Sequence, residues 1–308
     1  MSPRPYDGKL GIVTGGSRGI GAAVAKRLAA KGCNLLLVFT SDSSKDLVQA
    51  LCAELYDQHR VSCAQVQADL SQAGAACEKI VAAARGFHAS LRRDGELQVD
   101  ILINNAGVSS NQFLNDADKG PIAEAEFARV YNVNVLAPLL LTQALAPYFP
   151  RPTSPESGSF VKTKGRVVNV SSVSSSIGYE GQSVYAGTKA ALEAMTRCWS
   201  RELAGRATAG EKFWRINQAY CDAAPLQAYT GGSAETAAEV KELMGDGTQD
   251  KDAELQRFDS LVREKMGGRR PGFTSEIAGT IDMLCSEEAG WTTGSVVCAN
   301  GGMKMSIA

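Results

Sequence analysis

Leu10-Gly11-Ile12-Val13-Thr14-Gly15-Gly16-Ser17-Arg18-Gly19-Ile20-Gly21 is the stretch that sets the architecture of this chain. Its first five residues make a short apolar run with branched side chains, the pattern of a buried strand. Glycines then break the run. Ile20, Val24 and Leu28 follow four apart with alanine between them, the spacing of a helix with one buried stripe. Strand, glycine turn and helix in immediate succession form a phosphate cradle. Glycine lets the backbone turn tightly and approach a ligand closely, and the helix N-terminus offers N–H groups and the positive end of its dipole. The spacing is Thr-Gly-x-x-x-Gly-x-Gly, distinct from Gly-x-Gly-x-x-Gly and from a loop that ends in Gly-Lys-Ser/Thr.

Working outward, strand signals recur at 35–39, 61–68, 101–104, 166–170, 215–220 and 295–299, with helical patterns between them. Such alternation predicts an α/β fold, a Rossmann-like doubly wound parallel sheet of seven strands, with residues 1–308 forming a single domain. Residues 85–98 and the proline- and serine-rich 150–165 read as loops or insertions, and 223–272 as a long charged segment that covers the substrate. The acidic piece 246–252 reads as a solvated face, because it lacks the register of a calcium loop, and no metal site is expected.

Two of these strands end in polar residues. Ile101-Leu102-Ile103 runs into Asn104-Asn105-Ala106-Gly107, and Arg166-Val167-Val168-Asn169-Val170 runs into Ser171-Ser172. Amides at the C-terminal end of a strand can bond neighbouring strands and a ligand in the crevice, where open α/β sheets bind cofactors. Further on, Tyr185 and Lys189 stand four residues apart in a helical pattern, so their side chains share one face. A phenol beside an ammonium suits acid–base chemistry near neutral pH, because the positive charge favours the phenolate.

This ordered set resembles the short-chain dehydrogenase/reductase family. Residues 14–21 are similar to its cofactor loop, Asn104-Asn105-Ala106-Gly107 to its central-strand motif, and Thr293-Gly294-Ser295-Val296-Val297 with Gly301-Gly302 to its last strand and turn. Ser172 stands thirteen residues before Tyr185, as the catalytic Ser of the family does. The resemblance covers residues 8–304 in outline. It implies hydride transfer between a nicotinamide cofactor and the carbonyl of a small-molecule substrate. Tyr185 would then be the proton donor, Ser172 the group that bonds the substrate oxygen, and Lys189 the cation that tunes Tyr185 and reaches the nicotinamide ribose. Asn134, in Val133-Asn134-Val135, would hold a water that links Lys189 to solvent. The implied cofactor contacts are Gly15, Ser17, Arg18, Gly19, Ile20, Gly21, Thr40, Ser41, Asp69, Leu70, Asn105, Ala106, Gly107, Tyr185 and Lys189, with Asp69 toward the adenine.

Charge at the end of the second strand bears on the choice of cofactor. NAD usually needs a carboxylate there for the ribose hydroxyls. Here the strand runs Phe39-Thr40-Ser41 with no acid until Asp42, while Arg18 lies in the glycine loop and Lys45 is nearby. Hydroxyls with an Arg suit a 2′-phosphate, so NADPH/NADP+ is expected ahead of NADH. One segment departs from the family. Where Pro-Gly and then Thr are usual, this chain has Cys221-Asp222 and Leu226. Asp222 and Leu226 are therefore candidate substrate contacts, and a carboxylate at that place would favour a cationic substrate. The same departure leaves open a protein of this fold with non-redox, cyclase-like chemistry or no turnover, beside a ketoreductase of secondary metabolism that acts on a secondary-metabolite ketone.

Composition sets outer bounds. The chain has 32 basic and 33 acidic residues, net −1, so neither nucleic acid nor an anionic membrane surface is an expected partner. No apolar run reaches the roughly 20 residues that span a bilayer, and residues 1–7 carry no secretory core. Eight scattered cysteines with no Cys-x-x-Cys point to reduced thiols in the cytoplasm. Asn169-Val170-Ser171 matches a glycosylation acceptor but falls on a central strand, which argues against its use. Of the helical patterns at 124–146 and 184–204, the second carries Ala190, Ala191, Leu192, Ala194, Met195 and Trp199, apolar on more than one face. Together with the family's habit, this predicts a homodimer or homotetramer.

Overall fold

The computed structural model describes residues 4–91, 95–150, 165–203, 215–220, 272–289 and 292–302. Strand β1 (Leu10–Thr14), helix α1 (Gly19–Ala30), β2 (Asn34–Phe39), α2 (Lys45–His59), β3 (Cys63–Gln67) and α3 (Ala73–Leu91) make the first half. After β4 (Ile101–Asn104) come a short hairpin, β5 (Asn115–Asp116) and β6 (Gly120–Pro121), then α4 (Glu124–Tyr131) and α5 (Ala137–Leu145). The rest is β7 (Arg166–Ser171), α6 (Ser174–Ile177), α7 (Ser183–Glu202), β8 (Arg215–Tyr220), α8 (Thr274–Cys285) and β9 (Val296–Cys298).

Seven strands form one parallel sheet in the order β3-β2-β1-β4-β7-β8-β9. Helices cover both faces, and alternation along the strands decides which side chain goes where. Val13, Leu35 and Leu37 face the layer of α1, α2 and α8, with Val24, Leu28, Leu51 and Ile281. Ile12, Leu36 and Val38 face the opposite layer, with Ile80 of α3, Leu141 of α5 and Leu192 of α7. From β1 the chain winds out to β3 and then returns to β4 on the other side of β1. That reversal opens a crevice at the C-terminal ends of β1 and β4, where sheets of this kind bind ligands.

Three expectations about elements need correction. Residues 85–91 are helix, not loop: α3 runs to Leu91 because Ala84 and His88, one turn apart, are both buried. The strand expected over 61–68 begins at Cys63, since Arg60 ends α2 in the left-handed region (φ 56°) and the chain must turn before it can pair. The helix expected over 124–146 is interrupted by a π-turn at Asn132–Leu136. Pro138 lies four residues after Asn134; it has no N–H for the Asn134 carbonyl, and its ring would clash with that carbonyl in a regular helix, so the turn widens. Most of 223–272, with Cys221, Asp222 and Leu226, and the acidic piece 246–252, lies outside the described residues, as does 151–164.

Candidate active site

The glycine loop is stitched to the end of β4. Thr14 Oγ1 accepts from the backbone N–H of Asn105 (3.0 Å) and of Ala106 (3.1 Å) and donates to the Ile103 carbonyl (3.3 Å). Asn105 Nδ2 returns the contact, donating to the carbonyls of Thr14 (2.9 Å) and Gly15 (3.2 Å). This packing leaves no space at Gly21: a Cβ there would sit 2.1 Å from the Gly15 carbonyl oxygen and 2.7 Å from Asn105 Nδ2. Gly19 differs. Its φ is +57°, and a Cβ would meet nothing within 4 Å. An open left-handed glycine at the first residue of α1, beside N–H groups that no helical carbonyl can reach, is a cradle shaped for phosphate.

Arg18 is exposed at the N-cap of α1, and its side chain makes no capping bond. Thr40 and Ser41 are exposed beyond the end of β2. A cleft of about 400 Å³ opens there, lined among others by Thr40, Gln67, Ala68, Asp69 and Lys79. Asp69 Oδ1 accepts from the Ser71 N–H (2.9 Å), which fixes its carboxylate, while Leu70 is buried beneath. Lys79, nearly two turns into α3, is not among the residues expected from the sequence. A lysine on a helix face carries no local signal, and only the fold turns it into the cleft.

A second group lies after β7. Ser172 is fully buried; its Oγ accepts from the Ser174 N–H and donates to Ser174 Oγ, both at 3.2 Å. Lys189 of α7 is 3% exposed, donates to the Val170 carbonyl at 2.9 Å, and lies 5.6 Å from the centre of the half-buried Tyr185 ring. Gly107 lets the chain pass close by: a Cβ there would stand 3.3 Å from Asn134 Oδ1 and 3.4 Å from Lys189 Nζ.

Asn134 is placed in this group, but its side chain braces the backbone. Oδ1 accepts from the Val108 N–H (2.8 Å), and Nδ2 donates to the Val108 carbonyl (2.9 Å) and to Thr188 Oγ1 (3.1 Å). Of the two amides in Asn104-Asn105, only Asn105 faces the loop. Asn104 turns inward to Asn169 Oδ1 (2.8 Å), whose own amide reaches Thr196 Oγ1 (2.8 Å). Asn169 is therefore buried in the sheet, as expected from its place on a central strand.

Glu193 joins this neighbourhood without being among the residues expected from the sequence. Glu193 is 8% exposed, and its Oε1 accepts from Ser171 Oγ (2.9 Å) and Ser175 Oγ (2.6 Å), the residues that flank Ser172. Tyr185, Lys189 and Glu193 follow one another every four residues on α7, and that period was the available signal. Among the described residues, no three His, Cys, Asp or Glu side chains gather as metal ligands.

A parallel sheet with a Thr-Gly-x-x-x-Gly-x-Gly loop at its switch point, a Ser just after β7, and Tyr and Lys on the helix α7 beside it, defines a class of nucleotide-binding oxidoreductase. The chain belongs to the short-chain dehydrogenase family, whose model matches residues 9–209. It is 60% identical to the L-xylo-3-hexulose reductase of Hypocrea jecorina (strain QM6a) over 324 residues, covering 99% of both chains. It is 50% identical to the L-xylulose reductase of Aspergillus niger (strain ATCC 1015) over 317 residues, covering 98% of this chain and 99% of the other. Among solved structures it is similar to a short chain dehydrogenase from Burkholderia cenocepacia J2315 in complex with NADP: 26% identity, TM-score 0.71, covering 97% of this chain and 99% of that one. No helix among the described residues is long and apolar enough to cross a membrane.

Proposed function

We propose that this protein is an NADPH-dependent reductase of a small ketose. The observation that carries the reading is the buried Lys189 ammonium, anchored on the Val170 carbonyl and held 5.6 Å from the Tyr185 ring. A cation in that position stabilises the phenolate that remains when Tyr185 gives up its proton. NADPH, when bound, supplies the hydride for reduction of a carbonyl. The loop Gly15, Ser17, Gly19, Ile20 and Gly21 would hold its pyrophosphate, and Arg18, Thr40 and Ser41 its 2′-phosphate. Asp69 and Leu70 would face the adenine, and Asn105, Ala106 and Gly107 the nicotinamide side. The open cradle at Gly19 and the cleft beside Thr40 and Asp69 fit such a group.

The chain's own residues then divide the work. Ser172 orients the substrate carbonyl oxygen, Tyr185 passes it a proton, and Lys189 balances the charge. Asn134 holds the Val108 backbone and the Thr188 hydroxyl that frame them. Such acid catalysis is worth about 10²–10⁴-fold, and positioning supplies much of the remainder. The 60% identity to a sugar reductase favours a ketose over a secondary-metabolite ketone. The seven described cysteines are free thiols, which suits the cytoplasm.

The test is a steady-state assay of NADPH consumption with L-xylulose, L-xylo-3-hexulose and a cyclic aromatic ketone in parallel, repeated with NADH. Turnover of a ketose with NADPH at least tenfold above NADH is expected. Turnover of the aromatic ketone alone favours the secondary-metabolism reading. Tight NADPH binding without turnover of any carbonyl favours the non-redox alternative that Asp222 raises.

A further inference from the structure

Cys52 in the middle of α2 and Cys63 at the start of β3 bring their sulfur atoms to 2.7 Å. Both side chains are half-buried, within reach of a small solute. The other described thiols are arranged differently. Cys33, Cys77 and Cys285 are buried, and that burial pushes their thiols up, Cys77 to about 11 and Cys285 to about 12. Cys198 and Cys298 are exposed on separate elements. Among the described residues, only Cys52 and Cys63 share a hydrogen bond between thiols.

We propose that Cys52 and Cys63 form a reversible disulfide, an oxidative modification site that ties α2 to the edge strand β3. A disulfide is about 2.05 Å long, so the two sulfurs need to approach by less than one further ångström. The hydrogen bond shared with Cys63 holds the Cys52 thiol below the ordinary thiol range, against the opposing pull of burial. The same bond, followed by burial, raises Cys63. Cys52 serves as the nucleophile and Cys63 as the resolving thiol; either sulfur can donate the shared hydrogen bond, and the reverse order gives the same bridge. The oxidant is a hydroperoxide. The Cys52 thiolate attacks its terminal oxygen and breaks the O–O bond, giving a sulfenic acid and, for hydrogen peroxide, hydroxide. Cys63 sulfur then attacks the Cys52 sulfur, the S–S bond forms, and the sulfenic oxygen leaves as water. In sum, two thiols and one hydrogen peroxide give one disulfide and two waters, and the two electrons pass from sulfur to peroxide.

The two cysteines belong to the β2–α2–β3 unit whose loops carry Thr40, Ser41 and Asp69. A bridge from 52 to 63 closes a short loop, so it restricts the unfolded chain modestly and is expected to raise the melting temperature by roughly 3–6 °C.

The experiment treats the full-length reduced protein with stoichiometric hydrogen peroxide, alkylates the remaining thiols, and maps the peptides by mass spectrometry. A peptide pair joined through Cys52 and Cys63, lighter by two hydrogens and released by a thiol reductant, is expected. Cys52→Ser and Cys63→Ser should each abolish that pair and the rise in melting temperature. The proposal is overturned if Cys198 or Cys298 is oxidised while Cys52 and Cys63 still take up the alkylating agent, or if the bridge forms only with a fall in melting temperature. Mapping of the unmutated protein decides the question even if neither variant folds.

Discussion

Glu193 Oε1 accepts a hydrogen bond from Ser171 Oγ at 2.9 Å, so a buried carboxylate on α7 grips the residue immediately before Ser172. The same oxygen takes Ser175 Oγ at 2.6 Å, and the two contacts pin both ends of the segment that presents Ser172. Charge-assisted bonds of this sort are worth about 1.5–3 kcal/mol each when a partner is removed. Glu193→Ala should therefore lower kcat at least tenfold and leave NADPH affinity within a few-fold. Glu193→Gln, which keeps an acceptor oxygen, should recover most of the loss. Equal falls in kcat and in NADPH affinity for both variants would show that Glu193 serves the fold alone.

Tyr185→Phe removes one hydroxyl from a half-buried ring that Lys189 already flanks. The fold and the cofactor site should be undisturbed. Turnover of the ketose should drop by about 10²–10⁴, the usual worth of a positioned acid. Fluorescence titration with NADPH checks the binding half of the claim. If turnover survives intact, the proton comes from elsewhere.

Arg18 stands exposed at the head of α1, and no capping bond holds its side chain, so its guanidinium can meet a ligand phosphate. Arg18→Ala should weaken NADPH binding roughly tenfold to a hundredfold and leave NADH binding nearly unchanged. Calorimetric titration of both cofactors measures the ratio. An equal loss for the two places Arg18 on the shared pyrophosphate instead.

The parallel sheet was legible because most of its strands are short apolar runs followed by a helical period; the order of the strands rests on pairings distant in sequence and shows only in the fold. The loop was legible for the same reason as the sheet. Its lock was not: Thr14 and Asn105 meet across 91 residues, and no local pattern announces that bond. The π-turn was hidden in an apolar helical run, although Pro138 marked the place where the ladder had to open. The end of α3 is hidden in the sequence because Arg92-Arg93-Asp94-Gly95 looks like a loop, whereas the helix is held by Ala84 and His88 just before it. Lys79 and Glu193 needed the fold, since each becomes part of a site only when a helix face is set against a strand end.

The face of α7 that carries Ala190 and Ala194 is exposed, and nearby α4 presents Phe127, 47% exposed and stacked on Tyr131 at 4.2 Å. Tyr131 in turn packs on Gly187 of α7, so the two helices present adjoining apolar surface. A second copy of the chain is the expected cover, in a symmetric dimer or tetramer. Light scattering at micromolar concentration should give a multiple of 32.5 kDa. Ala194→Glu should lower that mass toward one chain, and a monomer in the unmutated protein would refute the expectation.

Two glycines of one loop should answer the same substitution in opposite ways. At Gly21 an added methyl would fall 2.1 Å from the Gly15 carbonyl oxygen, which is backbone and cannot swing aside, and 2.7 Å from Asn105 Nδ2, which is tied to the Thr14 and Gly15 carbonyls. Gly21→Ala must push the loop off β4 and break the Thr14–Asn105 stitching. Both the melting temperature and NADPH affinity should fall. At Gly19 the same methyl meets no protein atom within 4 Å, and the penalty is the φ of +57°, about 1–3 kcal/mol for a residue with a Cβ. Gly19→Ala should therefore lower the melting temperature by only a few degrees. If phosphate lies in the open cradle, the methyl intrudes on it, and NADPH affinity should fall tenfold or more. Differential scanning calorimetry and NADPH titration of the two variants separate the effects. A Gly19→Ala protein that binds NADPH as tightly as the parent would move the pyrophosphate away from the head of α1.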